Sequence, residues 1–580
     1  MIRRWILREA AEDSVARLCA SLGVPALIAR ILVNRGFADP ETAGPFLSST
    51  LRDDLPSPFL MAGMDQAVER LSRSLETGEL VCVWGDYDVD GTTGASALVS
   101  FLKEIGGNAV YYVPHRIDEG YGLNRDGLER LRDQGVGLVV SVDCGISNAE
   151  EVKWARGLGL GVIVVDHHQP PPELPPAVAI LNPHRADCPF PDKGLSGAGL
   201  AFYLIVGLRA KLRELGKFGP RGGPDVRRYL DVVTLGTIAD MVPLRGVNRV
   251  LARRGLTELG VSTRPGIQAL KEVAGIGPGA VGAGQVGFHL GPRINAAGRM
   301  DAGLKVVAML TTDSVEEARR IAGELDRNNR ERREMEGRVL TEALDRIEGS
   351  GMARRQNSIV VGAEGWHPGV LGIVASRIVE RFHRPTVVIG LSRGEGKGSA
   401  RSIRGLHMVE ALSRCGDLLE KFGGHEYAGG LTIKEEKLAA FAERFEEVAQ
   451  SRLTPEDLIP QLEVDARVDF SEIGLPMARE LQRLQPFGVG NPEPLLMSGE
   501  VEVTGRRDFK GGARFKFRQG GRSLDGVCFG IGEEFPARQG ATLDLVYRLS
   551  ENQWNGASSA ELRVVDARLS EKAAPPVSPG

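Results

Sequence analysis

Three aspartates stand at alternate positions in GDYDVDG, residues 85 to 91. Carboxylates this close repel one another unless a cation lies among them, so a divalent metal ion is the first ligand to consider. The spacing matches the start of a calcium-binding EF-hand loop, but Ala97 stands where that loop needs a bidentate glutamate. A solvated turn also fits an isolated DxDxDG, because aspartate and glycine favour turns. Other parts of the chain must decide between a metal site and a turn.

Further metal-binding side-chain types stand at the ends of two apolar runs, GLVVSVDCG (137–145) and LGVIVVDHHQP (160–170): Asp143, Asp166, His167 and His168. The aspartates of GDYDVDG follow a similar run, ELVCVWG (79–85). Apolar runs that alternate with helical spacing predict successive βα units and a mostly parallel, doubly wound sheet. Ligands of such sheets gather beyond the carboxyl ends of the strands. We therefore expect these side chains to emerge on one rim of a sheet.

Asp240 is a further ligand candidate. It ends the apolar, helix-like run of DVVTLGTIADMVPL (231–244), just before a proline-closed turn. Taken alone, this position is more typical of a surface aspartate at the end of a helix. The Gly/Pro-rich loop KFGPRGGPD (217–225) also lengthens the interval that separates Asp240 from His167, although the GTIAD segment supports the assignment.

The candidate ligands are mainly carboxylate oxygens with one or two imidazoles and no thiolate, a set that suits Mn²⁺ or Mg²⁺ better than zinc or copper. Enough carboxylates are present for two ions about 3.5–4 Å apart, a pair that can activate water and stabilise the leaving oxygen of a phosphoester. The predicted chemistry is phosphoester hydrolysis. Asp143 is the candidate bridging ligand, because its strand should lie between the strands that carry the other ligands. We expect His167 to bind metal, His168 to face the substrate phosphate, and Asp166 to orient a ring.

Composition places the chain among multidomain globular proteins. Its 580 residues suffice for roughly four domains of ~150 residues. No apolar run approaches the ~20 residues of a membrane span, and the start MIRRWILREAAED acquires acids before a secretory signal develops. Six cysteines without CxxC spacing argue against a disulfide framework or a zinc cluster. We expect reduced thiols and a cytoplasmic location, whereas the net charge of −4 is uninformative about nucleic-acid partners.

The motifs together resemble a known superfamily. GDYDVDG, VDCGIS, VDHH and GTIADMVPL, in this order, are similar to the four motifs of the DHH phosphoesterases. Further segments narrow the resemblance to the RecJ family of bacterial single-strand-specific exonucleases: PHRIDEGYGL (114–123), LGPRINAAGRM (290–300), EGWHPGVLGIVASR (364–377), KGSARS (397–402) and FGGHEYAGG (422–430). The resemblance covers almost the whole chain.

The resemblance implies a metal-dependent 5′ to 3′ exonuclease that degrades single-stranded DNA to 5′ mononucleotides in recombination and repair. The implied ligands of two metal ions are Asp88, Asp90, Asp143, His167 and Asp240, with a less secure role for Asp86. The implied DNA-binding residues are Arg116, Ser399 and Arg401 around the 5′ phosphate, Tyr121 against a base, and Arg293, Asn295 and His425 along the strand. The implied catalytic residues are Asp143 beside the attacking hydroxide and His168 and Arg293, which would stabilise developing charge.

Single-stranded DNA is thus the expected ligand, and a single-strand-binding protein and a helicase are the expected protein partners, with no membrane contact. Two alternatives remain. Another enzyme of the superfamily, acting on short oligoribonucleotides or cyclic dinucleotides, would share the metal ligands, although the C-terminal pattern argues against it. A noncatalytic DNA-binding scaffold would show broken metal motifs, and here every motif is intact.

Changes of pattern along the chain predict its domain organisation. Residues 314–347 carry alternating charge without proline and predict one long helix. The predicted regions are an N-terminal helical segment (1–75), a DHH catalytic domain with a parallel α/β sheet (76–310), a connecting helix (311–350), a second α/β domain of DHHA1 type that binds substrate (351–455), an OB-type β-barrel (456–570) and a disordered tail (571–580).

Short alternating runs with glycine turns after residue 455 predict the strands of the small barrel. Basic and aromatic residues that could bind phosphates and stack on bases interleave there: Arg506, Arg507, Phe509, Lys510, Arg514, Phe515, Lys516 and Phe517. Phe515 and Phe517 share one face of their strand, so we expect these two rings to lie in the core instead.

Overall fold

The computed structural model describes residues 3–115, 118–219, 222–297, 303–530, 538–554 and 556–570. The chain divides into two compact units, one of Leu7–Asp326 with Glu463–Gly580 and the other of Met1–Ile6 with Arg327–Leu462. Arg116, a predicted phosphate contact, and the predicted tail 571–580 lie outside the described residues.

The N-terminal segment is mainly helical, and it divides between two hydrophobic cores. Its elements are the strand β1 (Arg4–Leu7) and the helices α1 (Glu12–Leu22), α2 (Ala26–Asn34), α3 (Pro40–Ser48) and α4 (Met64–Thr77). Apolar residues of α1–α3 share a core with residues 466–564, whereas α4 packs on the first sheet through Met64, Val68 and Leu71. A buried pair, Arg35 and Asp465 at 3.3 Å, strengthens the first of these contacts.

The predicted parallel sheet is confirmed. Its strands are β2 (Leu80–Gly85), β3 (Ala109–Tyr112), β4 (Val136–Val142), β5 (Gly161–Val165) and β6 (Ala179–Leu181). They pair in parallel in the order β3-β2-β4-β5-β6. β4 therefore lies between β2 and β5, as the prediction for Asp143 requires. Val139 and Val140 of β4 are fully buried, because helices cover both faces of the sheet.

Helices complete this domain. They are α5 (Val89–Glu104), α6 (Arg125–Asp133), α7 (Ala149–Gly157), α8 (Gly197–Glu214), α9 (Leu230–Ala239), α10 (Gly246–Val261), α11 (Pro265–Val273), α12 (Ala283–Gln285), α13 (Gly291–Ala297) and α14 (Gly303–Thr311), with a π-helical turn at Val286–Leu290. Residues of α5 and α8 pack on one face of the sheet, and residues of α6 and α7 pack on the other. None of the helices in the described part of the chain is long and apolar enough to cross a bilayer.

The predicted connecting helix is confirmed as one continuous element, α15 (Val315–Ser350). The elements that follow are α16 (Met352–Arg355), β7 (Ile359–Glu364), α17 (Pro368–Phe382), β8 (Thr386–Ser392), β9 (Glu395–Arg401), α18 (Met408–Ser413), β10 (Leu419–Gly424), β11 (Ala428–Lys434) and α19 (Leu438–Arg452). The strands form a mixed sheet in the order β10-β11-β9-β8-β7. The segment GGHEYAGG forms the β10–β11 hairpin, in which its glycines pair across the two strands, Gly423 with Gly430 and Gly424 with Gly429.

The C-terminal barrel is also confirmed. Its region contains β12 (Gln461–Val464), β13 (Ala466–Arg467), α20 (Leu475–Gln482), β14 (Leu496–Phe509), β15 (Gly512–Gln519), β16 (Arg522–Phe529), β17 (Thr542–Trp554) and β18 (Ala557–Leu569). The sheet closes because β14 pairs with both β15 and β17. Phe515 and Phe517 are buried in its core, as predicted from their shared strand face.

Candidate active site

The carboxyl rim of the first sheet collects acidic and imidazole side chains from several elements. Asp86 directly follows β2, Asp143 follows β4, and His167 lies just beyond β5. Asp88 caps the N-terminus of α5, where its Oδ1 accepts a hydrogen bond from the Gly91 amide at 3.1 Å. Asp90 lies in the first turn of α5, and Asp240 is the C-cap of α9. The predicted ligands therefore converge on one edge, because each stands at the end of an element that the sheet places there.

Three groups of these side chains each bring ligand atoms within 4.8 Å of one another: Asp86, Asp88 and Asp143; Asp143, His167 and His168; and Asp90, His167 and Asp240. Asp143 and His167 belong to two groups each, and Asp143 Oδ1 lies 3.1 Å from His167 Nε2. Asp240 Oδ2 lies 3.6 Å from the same nitrogen. An aspartate shared by neighbouring groups is the arrangement that a bridging ligand needs.

The rim carboxylates are buried without a cation. Asp143 Oδ1, His167 Nε2 and Asp240 Oδ2 are buried atoms without a hydrogen-bond partner, and within the described ranges no lysine or arginine forms an ion pair with Asp90, Asp143 or Asp240. Burial and neighbouring carboxylates raise the pKa of Asp90 to about 7, that of Asp240 to about 9, and that of Asp143 well above its usual range. Burial lowers the pKa of His167 to about 4, which favours the neutral ring that binds metal. A ligand set of carboxylate oxygens with one neutral imidazole nitrogen fits Mn²⁺ or Mg²⁺.

Backbone strain marks the same place. Asp143 has φ of 64° and Met241, the residue after Asp240, has φ of 62°. Both values lie in the left-handed region, which side chains other than glycine rarely adopt. The Asp143 backbone is fixed on both sides, since its amide donates to the Val165 carbonyl at 2.9 Å and its carbonyl accepts from the Tyr121 hydroxyl at 2.9 Å. Strain of this kind persists where surrounding contacts hold it, and it clusters at functional sites.

Two glycines leave space for the acidic side chains, and neither was predicted from the sequence. The carboxylate of Asp90 accepts hydrogen bonds from the Gly197 amide at 2.5 Å and the Ala198 amide at 3.0 Å, at the start of α8. A Cβ at Gly197 would lie 2.7 Å from the Asp143 Cβ, and a Cβ at Gly236 would lie 2.7 Å from Asp90 Oδ1. The small-residue segment SGAG, which opens an apolar helix, was the available sequence signal for Gly197.

His168 is held by two side chains. Its Nδ1 lies 2.7 Å from Asp166 Oδ1 and 3.2 Å from the Tyr121 hydroxyl. Asp166 is fixed in turn by the Ile146 amide, which donates to its Oδ2 at 2.9 Å. The hydrogen bond with Asp166 raises the pKa of His168, although burial opposes the shift. With Nδ1 engaged, Nε2 is the ring nitrogen left for a phosphate oxygen, as the predicted role of His168 requires.

Asn182, which follows β6, was not among the residues predicted from the sequence. Its side chain is fully buried and bridges the ends of two strands. Its Nδ2 donates to the His168 carbonyl at 2.8 Å, and its Oδ1 accepts from the His184 amide at 2.8 Å. Asn182 therefore fixes the backbone that carries the two histidines. The Asn-Pro pair after the apolar run AIL is the sequence signal for a turn there.

The other predicted site residues near this rim have internal contacts. Tyr121 is half-exposed, and its ring and that of His168 form a T-shaped pair with centroids 5.9 Å apart, so its contact with a base stays a prediction. Arg293 donates to Asp326 at 3.0 Å and to the carbonyls of His289 at 2.7 Å and Val273 at 3.1 Å. Its side chain is 12% exposed, and it ties α13 to α15. Its catalytic role stays a prediction, as does the strand contact of the half-buried Asn295.

In the second unit, Ser399 and Arg401 occupy alternate positions of β9 and so face the same side of the strand. A Cβ at Gly372 in α17 would lie 2.9 Å from Arg401 Nη2 and 3.2 Å from Ser399 Oγ, so glycine there leaves space beside both side chains. Burial lowers the pKa of Arg401. His425 is exposed at the tip of the β10–β11 hairpin.

The barrel exposes the polar residues predicted for nucleic-acid contact: Arg506, Arg507, Lys510, Arg514 and Lys516. Phe509 is also exposed, and its ring pairs edge-to-face with that of Phe529 at 5.8 Å. Phe529 is 64% exposed and was not predicted. The two rings and the cations together provide the groups that single-strand-binding surfaces use.

Three family models match the chain: the DHH family N-terminal domain over residues 80–237, the DHHA1 domain over residues 356–451 and the RecJ OB domain over residues 464–566. A parallel sheet whose rim gathers these aspartates and histidines, followed by a DHHA1 domain, defines a DHH-family protein.

The full-length comparisons narrow that class, and the chain belongs to the RecJ family. It is 38% identical to the single-stranded-DNA-specific exonuclease RecJ of Bacillus subtilis, covering 98% of this chain and 71% of that protein. It is 39% identical to RecJ of Salmonella typhimurium, covering 97% of this chain and 98% of that protein.

Solved structures give the same result. The crystal structure of RecJ from Thermus thermophilus in complex with Mn²⁺ matches with a TM-score of 0.82 and 31% identity, over 99% of this chain and 81% of that one. The Mg²⁺ complex of the same protein matches with a TM-score of 0.75 and 30% identity, over 98% of this chain and 79% of that one. The metals in those crystals are the two that the oxygen-rich rim of this chain suits.

Proposed function

We propose that this protein is a metal-dependent exonuclease that degrades single-stranded DNA from its 5′ end to 5′ mononucleotides, in recombination and repair. The observation that carries the proposal is the buried rim around Asp143, where overlapping ligand groups meet and no lysine or arginine of the described residues pairs with Asp90, Asp143 or Asp240. A cluster of this kind is costly for a folded protein unless cations occupy it. Membership of the RecJ family supports the choice of single-stranded DNA as the substrate.

Two ions would be held by the ligand groups of the rim: Asp86, Asp88, Asp90, Asp143, His167 and Asp240. Bound divalent ions supply Lewis acidity for phosphoester hydrolysis. Asp143 is the carboxylate that would be shared, because it belongs to two of the three ligand groups. Gly197 and Gly236 keep the space that this packing of carboxylates needs.

His168 would bind a non-bridging oxygen of the reacting phosphate. Asp166 holds Nδ1 of its ring and raises its pKa, so Nε2–H can donate to an oxygen on which negative charge develops. Asn182 holds His168 in place by donating to its carbonyl, and Tyr121 holds Asp143 in place by donating to the Asp143 carbonyl.

The proposed 5′ polarity would need a contact with the terminal phosphate, and residues of the second unit are the candidates for it. Ser399 and Arg401 present a hydroxyl and a guanidinium on one face of β9, and arginine binds phosphate oxygens as a planar fork. Such a contact favours a strand whose 5′ end carries phosphate. The barrel would hold more distant nucleotides through its exposed cations and the rings of Phe509 and Phe529.

A nuclease confined to single strands needs other proteins to provide them. A helicase would open duplex ends, and a single-strand-binding protein would keep the product strand unpaired. Chromosomal DNA as the substrate implies a cytoplasmic site of action.

The test uses one oligonucleotide as a single strand and as a blunt duplex, labelled at either end, with Mn²⁺, Mg²⁺ or EDTA. We expect only the single strand to shorten, from its 5′ end, and EDTA to stop the reaction. A 5′-phosphorylated strand should be degraded faster than a 5′-hydroxyl strand, and Arg401→Lys should reduce that ratio, because lysine cannot form the bidentate fork.

Degradation from the 3′ end, or equal rates on duplex and single strand, would contradict the proposal. Survival of long DNA together with cleavage of dinucleotides would indicate the alternative substrate class, short oligoribonucleotides or cyclic dinucleotides.

A further inference from the structure

Two large apolar side chains stand in solvent on segments at the C-terminal end of α9, the helix that Asp240 caps. Met241, the next residue in the chain, is 68% exposed, and its left-handed backbone is a conformation that favours glycine. Phe288 is 81% exposed, on the π-helical turn Val286–Leu290. π-Helical turns are rare in proteins, and those that occur often lie at functional sites.

The π-helical turn is built onto the helix that carries Asp240. Val286 and Leu290 lie in one hydrophobic core with Leu235 of α9, and Ala239 packs against that core. A Cβ at Gly291, directly after the turn, would lie 3.3 Å from the Ala239 Cβ. Because its two flanking apolar residues are buried against α9, the turn can only present Phe288 outward. The position of Phe288 is therefore fixed relative to the rim, although its ring is free.

Single exposed apolar residues are common and need no explanation. Here two of them come from separate segments at the end of the helix that Asp240 caps, and an exposed aromatic ring, Tyr121, contacts the rim through Asp143 and His168. The rim carboxylates repel an anionic ligand or an acidic protein surface unless metal is bound. A nucleotide strand combines phosphates for the metal site with neutral, flat bases on either side, and bases stack on aromatic rings without regard to sequence.

We propose that Phe288, supported by Met241, is a stacking site for a nucleobase next to the scissile phosphate, on the Asp240 side of the metal centre. Tyr121 would contact a base on the Asp143 side. The inference rests on the proposed function for its substrate and adds a specific subsite to it. Stacking on Phe288 would hold the strand while each phosphodiester is positioned for cleavage.

The test compares Phe288→Ala and Phe288→Trp with a matched control, Val261→Ala, which truncates an apolar residue of similar exposure at the end of α10. For Phe288→Ala we expect KM for a single-stranded oligonucleotide to rise about 5- to 150-fold, the range that loss of one base–aromatic stack corresponds to. We expect kcat and the thermal unfolding midpoint to stay near those of the wild type. Phe288→Trp should restore KM, and its added tryptophan fluorescence should be quenched by the strand.

A second readout locates the base. Oligonucleotides that carry one abasic site at successive positions from the 5′ end should slow the wild type at one position on the Phe288 side, and Phe288→Ala should lose that pause. Strand binding measured by fluorescence anisotropy in EDTA separates this inference from the proposed activity. If the wild type binds strands without digesting them and Phe288→Ala still weakens binding, the stacking site stands and the proposed activity fails.

A KM for Phe288→Ala within twofold of the Val261→Ala value, with the abasic pause unchanged, would overturn the inference. So would unaltered tryptophan fluorescence in Phe288→Trp when the strand binds. Either result would mean that the exposed ring faces a protein partner or solvent instead of DNA.

Discussion

The rim of the parallel sheet and the outer face of the barrel hold charge in opposite ways. Asp143 and Asp240 at the rim lie among other acids, with a raised pKa, and within the described residues no lysine or arginine pairs with either. On the barrel, Arg518 is 53% exposed and pairs with Glu502 at 2.6 Å. Buried unpaired charge destabilises the fold until a ligand cancels it, whereas an exposed pair contributes about 0–1 kcal/mol. Catalysis at the rim therefore depends on each single residue, whereas DNA binding by the barrel depends on the combined contribution of many exposed residues.

The strongest test of this contrast is Asp143→Asn. Asparagine tolerates the left-handed backbone of this position and removes only the charge. We expect kcat to fall by roughly a thousandfold or more, at least as much as loss of one oxyanion-stabilising donor costs other enzymes. In EDTA the variant should unfold at the same temperature as the wild type or a higher one, because a buried repulsive carboxylate is gone. Single-turnover digestion and calorimetry measure the two effects.

The matched control is Asp133→Asn, which removes an exposed carboxylate paired with Arg132. It should change neither kcat nor the unfolding temperature measurably. Loss of both activity and folding in Asp143→Asn would mean that the residue supports the structure instead of the chemistry.

Metal removal should affect the rim alone. A ligand present at a hundredfold its Kd stabilises the folded state by about 2.7 kcal/mol, so EDTA should lower the unfolding midpoint of the wild type by about 5–10 °C. In Asp143→Asn that difference should shrink, because part of the metal site is lost. Differential scanning calorimetry with and without Mn²⁺ measures both shifts, and equal shifts in the two proteins would place the metal elsewhere.

Asn182→Asp should have an intermediate effect. Aspartate keeps the acceptor for the His184 amide but cannot donate to the His168 carbonyl. Partners that orient the residues of a metal site typically change metal affinity or activity 10- to 100-fold, and we expect a loss in that range. Mn²⁺ titration followed by activity separates weaker metal binding from slower turnover. Activity within twofold of the wild type at all Mn²⁺ concentrations would show that this bridge does not position the histidines.

The smallest effect is expected on the barrel. Lys516→Ala removes one exposed cation from the outer face of β15. We expect less than about a twofold change in kcat/KM, and a decrease of about 0.7 in the slope of log Kd against log salt for a single strand, the value for one lost phosphate contact. An unchanged slope would remove Lys516 from the strand-binding surface.

The sequence predicted the rim because its signals are local. Each predicted acid follows an apolar run, and the carboxyl ends of parallel strands meet at one edge. The order β2-β4-β5 then made Asp143 central. The rings of Phe515 and Phe517 were assigned to the core by alternation alone, and both are buried.

Other features depend on contacts between distant segments, which no local pattern records. The packing of α1–α3 with the barrel joins residues more than 400 positions apart, as the Arg35–Asp465 pair illustrates. Asn182 acts through two backbone groups, and Gly197 acts by leaving space, so the local signals that they carry, an Asn-Pro turn and the SGAG segment, do not reveal these roles. Arg293 has the residue type for catalysis, but its contacts with Asp326 and two carbonyls could only be seen in three dimensions.

The most direct test of the central claim is the number of Mn²⁺ ions that the protein holds, measured by equilibrium dialysis with elemental analysis. We expect two ions per wild-type chain and one or none for Asp143→Asn, because Asp143 belongs to two of the three ligand groups. One ion or none in the wild type, or two ions still bound by Asp143→Asn, would contradict it.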